Sequence, residues 1–234
     1  MTRRSAMLWT VIMAASAIAA AEPVLELDFT KGELPPNTVS AISKKFQDTY
    51  DRQKFVKDGN EYALFCGGKS QYGHFTMTDH LPFKADAPFT VTCWFRPRGG
   101  WSIPVIYYRS GWNSRDGFSI MQSGPQLHLR IGKEHVISSD KPNPLQKNTR
   151  YFVTVSWDGK VWKMTLNGRE FTGKKNPPFI LPPAQIKFHV GGYNIHTNNV
   201  FEGTIRKVRI YDRALSLKEI HAMLGNEIGE LGQE

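Results

Sequence analysis

The sequence predicts an all-β protein: two antiparallel sheets packed face to face, with one short helix near the C-terminus. Three observations carry this. The first is FTVTCWFRP at 89–97, where Phe89, Val91, Cys93 and Phe95 share one side and Thr90, Thr92 and Trp94 the other, the period of a strand. The second is a rhythm of short apolar runs separated by Gly, Pro, Asn and Ser, the pattern of a sandwich rather than a helical bundle. The third is FEGTIRKVRIYDRALSLKEIHAML at 201–224, a long strand running into a helix.

Taken in order, VLELDF at 24–29 alternates apolar and acidic residues and is expected to pair with the C-terminal strand, since chain termini often lie close together. The polar run 30–59, with Pro35-Pro36, reads as a long surface excursion with one short strand. Asp58-Gly59-Asn60 turns the chain into a strand at 62–66, followed by one at 73–77. After 89–97, strands are expected at 103–108, 117–121, 126–131 and 135–138. Asp158-Gly159 joins strands 150–157 and 161–166, and Asn167-Gly168 turns into 169–171. A strand at 186–190 leads through Gly191-Gly192 to the loop 193–200.

In the closing strand Phe201, Gly203 and Ile205 face one way, while Val208 and Ile210 resume one step out of phase. A bulge near Arg206-Lys207 accounts for the slip. Ser216-Leu217-Lys218-Glu219 forms a capping box, Leu217, Ile220, His221 and Leu224 follow at helical spacing, and Gly225 is expected to end the helix. Residues 225–234 then read as a polar tail after a single domain at 22–224.

Composition narrows the function classes. Forty per cent apolar and 12% aromatic residues mean a packed globular domain. Arg3-Arg4, an apolar run at 6–20 and Ala19-Ala20-Ala21 read as a secretion signal peptide over 1–21. The run is short for a membrane span, so no stable insertion is expected after cleavage. The mature chain is therefore expected in the periplasm or outside the cell. It keeps 28 basic residues against 21 acidic, a charge of +7. An exported basic protein is a poor partner for nucleic acid and a better one for a glycan, an acidic polysaccharide or another cell-surface or extracellular partner. Export also leaves Cys66 and Cys93 two options, a disulfide if their strands are neighbours or two buried thiols.

Several of these stretches resemble one family. F-x-G-x-I-x-x-V-R-I-Y-D-R-A-L-S-x-x-E-I at 201–220, YALFCGG at 62–68, FTVTCWFRP at 89–97 and YFVTVSWDGKVWKMTLNGRE at 151–170 are similar, in this order, to laminin-G-like domains of the concanavalin A-like lectin/glucanase superfamily. The resemblance implies a jelly roll and says little about a ligand. It also implies a rim calcium site, for which Asp116, Asn194, Asn198 and Asn199 are the candidate ligands, although the loops lack an acidic cluster. No other cofactor is implied.

The leading reading of function is a non-catalytic module that binds its partner through loops. Sugar sites pair exposed aromatics with amides and charged groups. Two stretches have that mixture, giving Trp101, Tyr108, Arg109, Trp112, Tyr193, Asn194 and His196 as candidate contacts, with Trp112 and Tyr193 preferred for stacking. Glucanases of the superfamily use E-x-D-x-x-E, but Lys31 stands where Glu26 and Asp28 would need their third carboxylate. The alternative is a polysaccharide lyase acting on a uronate-containing glycan. Gln126-Leu127-His128 is similar to the Q-I-H element of jelly-roll alginate lyases, which would make Arg109 the carboxylate binder, His128 the base and Tyr193 the acid, beside Gln126.

Overall fold

The computed structural model describes residues 21–35, 38–41, 55–67, 74–77, 81–99, 103–194 and 199–231. Of the expected signal peptide at 1–21, residues 1–20 lie outside them.

The first sheet holds β1 (Leu25–Asp28), β3 (Phe55–Asp58), β4 (Glu61–Gly67), β6 (Phe89–Pro97), β11 (Tyr151–Trp157), β12 (Trp162–Leu166), β13 (Arg169–Thr172) and β17 (Glu202–Tyr211). Its order is β13-β12-β11-β6-β17-β4-β3, with β1 also on β17. The second sheet runs β10-β9-β8-β7-β14-β5-β2, from β2 (Thr38–Ala41), β5 (His74–Met77), β7 (Ile103–Tyr108), β8 (Phe118–Ser123), β9 (Gln126–Ile131), β10 (Glu134–Ser138) and β14 (His189–Val190). A small ribbon pairs β15 (Gly192–Asn194) with β16 (Asn199–Val200), and α1 spans Leu217–Leu231. Every pairing is antiparallel, the two-sheet sandwich that the sequence predicts.

The long strand β17 explains how the chain closes. Its first half pairs with β4 and its second half with β1 along the same edge, while β6 follows it on the other side. The register on β6 shifts between Ile205 and Lys207, so the expected bulge is present and both Ile205 and Val208 reach the core. The two-residue turn Asn167-Gly168 has φ of 50° and 78°, the left-handed pair a tight hairpin needs, and Asn167 Oδ1 accepts the Phe152 amide at 2.8 Å.

The common core is apolar and aromatic, with Phe29, Phe95, Phe118, Trp162 and Phe188 among its fully enclosed side chains. A second cluster lies on the outer face of the first sheet: Trp94, Phe152 and Tyr211 from the strands, with Leu215, Ile220 and Met223 from the helical segment. The Trp94 and Phe152 rings stack at 4.8 Å, so Trp94 covers the sheet's second side as its alternation predicts. The capping box forms as written, with the Ser216 amide donating to Glu219 Oε2 at 2.8 Å and the Glu219 amide to Ser216 Oγ at 3.3 Å. Elsewhere on this face, Asp58 is buried and accepts from both Arg96 and Arg150.

Two expectations need correction, and one open choice is resolved. The helix does not stop at Gly225 but continues to Leu231, so the segment read as a tail is largely helical. Nothing lies within 4 Å of a side chain built on Gly225, so this exposed glycine costs the helix only its propensity. The described residues of the excursion at 30–59 hold two strands rather than one, because β5 and β4 offer edges for β2 and β3. Cys66 and Cys93 are free, buried thiols. Since β17 runs between β4 and β6, they do not sit on neighbouring strands and the disulfide is not formed. Burial pushes both thiol pKa values far up.

Candidate functional site

Alternation along β9 sends Leu127, Leu129 and Ile131 into the core and leaves Gln126, His128 and Arg130 on the opposite, outer face of the second sheet. Register then builds a row across that face. His189 on β14 lies opposite Tyr107, Tyr107 opposite Ser119, Ser119 opposite Arg130, and Arg130 opposite His135. The row crosses five strands, roughly 19 Å at the usual strand spacing. Beside it, His128 stands opposite Met121 and Ser138 and shares a 2.7 Å hydrogen bond between Nδ1 and Ser138 Oγ. The His128 and His135 rings meet at 5.5 Å.

The row is buried in its middle and more open at its two ends. Tyr107, Ser119 and Arg130 are buried, His189 and His128 are partly buried, and His135 is exposed. Burial holds the His189 pKa down at about 4. His128 is lowered by burial and then by the charge of His135, and His135 by burial and then by Arg130 and Arg109. All three imidazoles are therefore neutral near pH 7 and can both donate and accept.

Above this row stands the loop 109–117, braced from within. The Arg109 guanidinium is buried and donates through Nη2 to the Trp112 carbonyl at 2.9 Å and the Ser114 carbonyl at 3.1 Å. The Ser110 amide donates to Asp116 Oδ1 at 2.9 Å, and the Ser110 hydroxyl donates to Oδ2. Burial alone would raise the Asp116 pKa. The bonds from Ser110 and Ser114, with the charge of Arg109, overcome it and hold the carboxyl low. The loop presents Trp112, whose partly exposed indole lies 4.7 Å from the Arg130 guanidinium.

The structure brings together Arg109, Trp112, Asp116, Gln126 and His128 on one side of the second sheet. It also adds Arg130 and His135. Tyr108 departs from expectation: it faces inward, where its ring packs against Phe83 at 5.1 Å and borders a core-edge cavity of about 190 Å³. Gln126 donates to the Ser139 carbonyl at 2.8 Å. Trp101, His196 and Asn198 lie outside the described residues, as do the side chains of Tyr193, Asn194 and Asn199. Of the calcium candidates only the Asp116 carboxylate is described, and it is engaged by Ser110. No group of three His, Cys, Asp or Glu that could hold a metal occurs among the described residues.

A two-sheet antiparallel sandwich with a polar outer face defines the architectural class. Residues 67–221 match the family model Laminin_G_3, described as the concanavalin A-like lectin/glucanases superfamily, and the chain belongs to that family. No curated protein matches the sequence. Solved structures share the fold at low identity. The binding domain of Paraclostridial Mosquitocidal Protein 1 aligns with a TM-score of 0.60 and 16% identity, over 88% of this chain and 52% of that one. Domain 4 of AbnA, a GH43 extracellular arabinanase from Geobacillus stearothermophilus in complex with arabinotriose, aligns at 0.52 and 16% identity, over 86% and 87%. Trypanosoma rangeli sialidase in complex with the inhibitor DANA aligns at 0.53 and 13% identity, over 73% of this chain and 28% of that one. The chain thus spans about a quarter of the sialidase and half of the mosquitocidal binding domain.

Proposed function

We propose that this protein is an exported, non-catalytic module that binds a glycan on the outer face of the second sheet. The carrying observation is the Trp112 indole held at 4.7 Å by Arg130 on a hydrogen-bonded loop, above the neutral imidazoles of His128 and His135. That combination offers an apolar ring face beside groups that donate to and accept from hydroxyls, the two things a sugar presents. A loop braced before binding loses less entropy on capture. The apolar run at 6–20 and the small residues at 19–21 support export, and the basic mature chain favours an acidic polysaccharide or an anionic surface over nucleic acid. The arabinotriose bound to the AbnA domain is a sugar on a related architecture.

An elimination on a uronate would need the Arg109 and Gln126 donors aimed at substrate. Here Arg109 Nη2 and Gln126 Nε2 bond to backbone carbonyls, so binding is the better-supported reading. A glycan array with the intact chain and Trp112→Ala tests it. The expected result is binding to a defined set of glycans, weakened roughly tenfold in the variant. Equal binding by both proteins, or release of ultraviolet-absorbing unsaturated products from alginate, would overturn the reading.

A further inference from the structure

Where β9 ends, the sandwich rim carries an open groove of about 330 Å³. Its apolar wall is Ile131, Pro177, Pro178 and Ile180, and Arg115 and Lys133 stand exposed at its edge. One acid also lines it, Glu134, and its carboxylate is bound by Lys175 at 2.6 Å. Once that pair is set aside, the lining carries two positive charges. Neither Arg115 nor Lys133 forms an ion pair or hydrogen bond with the described residues.

The groove is built, not a chance gap between mobile loops. The Trp162 amide donates to Asn176 Oδ1 at 3.0 Å, the Trp162 indole to the Pro177 carbonyl at 2.9 Å, and the Gly117 amide to the Ile180 carbonyl at 2.8 Å. On the opposite wall, Gly132 has φ of 50° and comes so close to Arg115 that an added Cβ would lie 2.5 Å from its carbonyl oxygen. Only glycine lets the β9–β10 turn approach the 109–117 loop this closely. The same two elements carry the proposed sugar site: Arg115 is three residues past Trp112, and Ile131 follows Arg130, which holds the Trp112 ring.

We propose that this groove is a second subsite, which holds the anionic group of an acidic polysaccharide whose neighbouring unit lies on Trp112. The inference rests on the glycan-binding reading and gives it a ligand class. The apolar wall accepts the carbon face of the sugar. The two cations pair with a carboxylate or sulfate in a partly desolvated setting, where charge-assisted contacts are strongest. Neutral polymers lose that term, so selection against them is built into the rim.

The test compares the intact chain with two double variants, Arg115→Gln/Lys133→Gln in the groove and Lys141→Gln/Lys147→Gln, which removes the same charge from exposed sites elsewhere. Binding to dextran, dextran sulfate and alginate is titrated at low and high salt, with thermal unfolding as a control for folding. The groove variant is expected to lose roughly tenfold in affinity for the acidic polymers and much of the salt dependence, while the control variant loses little. Preference for dextran sulfate or for alginate assigns the anion as sulfate or carboxylate. Equal effects of the two double variants, or affinity for plain dextran matching that for the acidic polymers, would overturn the subsite and leave the glycan reading standing. If none of the three polymers binds while the array finds a neutral glycan, the subsite fails alone. If the array is blank too, both fail.

Discussion

The outer faces of the two sheets start from the same alternation and end differently. On the first sheet, Trp94, Phe152 and Tyr211 point away from the core and are covered by Leu215, Ile220 and Met223. On the second sheet, the equivalent positions hold His128, Arg130, Ser119 and His135, and a polar loop rather than a helix stands above them. The helix-covered part of the first face is explained by folding alone, since each of those six side chains adds to burial. The second is not. A buried guanidinium and a row of partly desolvated imidazoles cost stability. Residues that work against folding, gathered in one place, mark a surface kept for another purpose.

The largest effect that would sharpen this contrast is on the closed face. Trp94→Ala removes a side chain that is 5% exposed and stacked on Phe152. It is expected to cost about 4 kcal/mol in urea-induced unfolding, from lost burial plus a cavity. Glycan binding by the folded fraction should be unchanged, because the cluster and Trp112 lie on opposite sides of the core. A small cost, or a change in binding, would break the division into scaffold and site.

His189 sits at the partly buried end of the row, and it gives a pH test. Its folded pKa is about 4, against about 6.5 in the unfolded chain. Above pH 6.5 both states are neutral and the folded form keeps its full stability. As the pH falls from 6.5 towards 4, the unfolded chain takes up the proton first, so stability is lost across that window. The loss should reach about 2 kcal/mol, less than the full shift implies because the ring keeps some exposure. His189→Asn should unfold with a flatter dependence between pH 7 and pH 4. An unchanged slope would show that His189 is not the group responsible.

The sheet system was legible in the sequence because β17, β6 and the 150–171 hairpins announce themselves through alternation, paired turns and one phase slip. What stayed hidden depended on tertiary context. Tyr108 was assigned to the ligand surface, yet the β7–β8 register shifts between Pro104 and Ile106, and such a slip decides which of Tyr107 and Tyr108 turns inward. No local signal in IPVIYY places that bulge. Trp112 and His128 could be singled out as candidates. Arg130 and His135 could not, although QLHLR already puts Arg130 on the same face as His128. Alternation says which residues share a face, but only the packing of the other elements says which face stays open. The second strand of the 30–59 excursion was missed for a related reason: in β2 and β3 short segments are stabilised by waiting edges on β5 and β4.

The smallest expected effect lies at the exposed end of the row. His135 is exposed, so His135→Gln should change stability by no more than about 0.5 kcal/mol. Its consequence should be electrostatic and local. Burial is the main cause of the low His128 pKa, and the positive charge of His135 is the second. Removing that second charge leaves burial in place, so His128 should titrate part of the way back towards the ordinary histidine value. Proton NMR of the His128 ring during a pH titration would read this directly. A stability loss comparable to that of Trp94→Ala would mean that the polar row is structural after all. An unmoved His128 titration would mean that the two rings, 5.5 Å apart, do not share one electrostatic environment. The predicted combination, a shifted neighbour in a protein of unchanged stability, is what a surface held ready for a ligand should show and what the helix-covered face cannot.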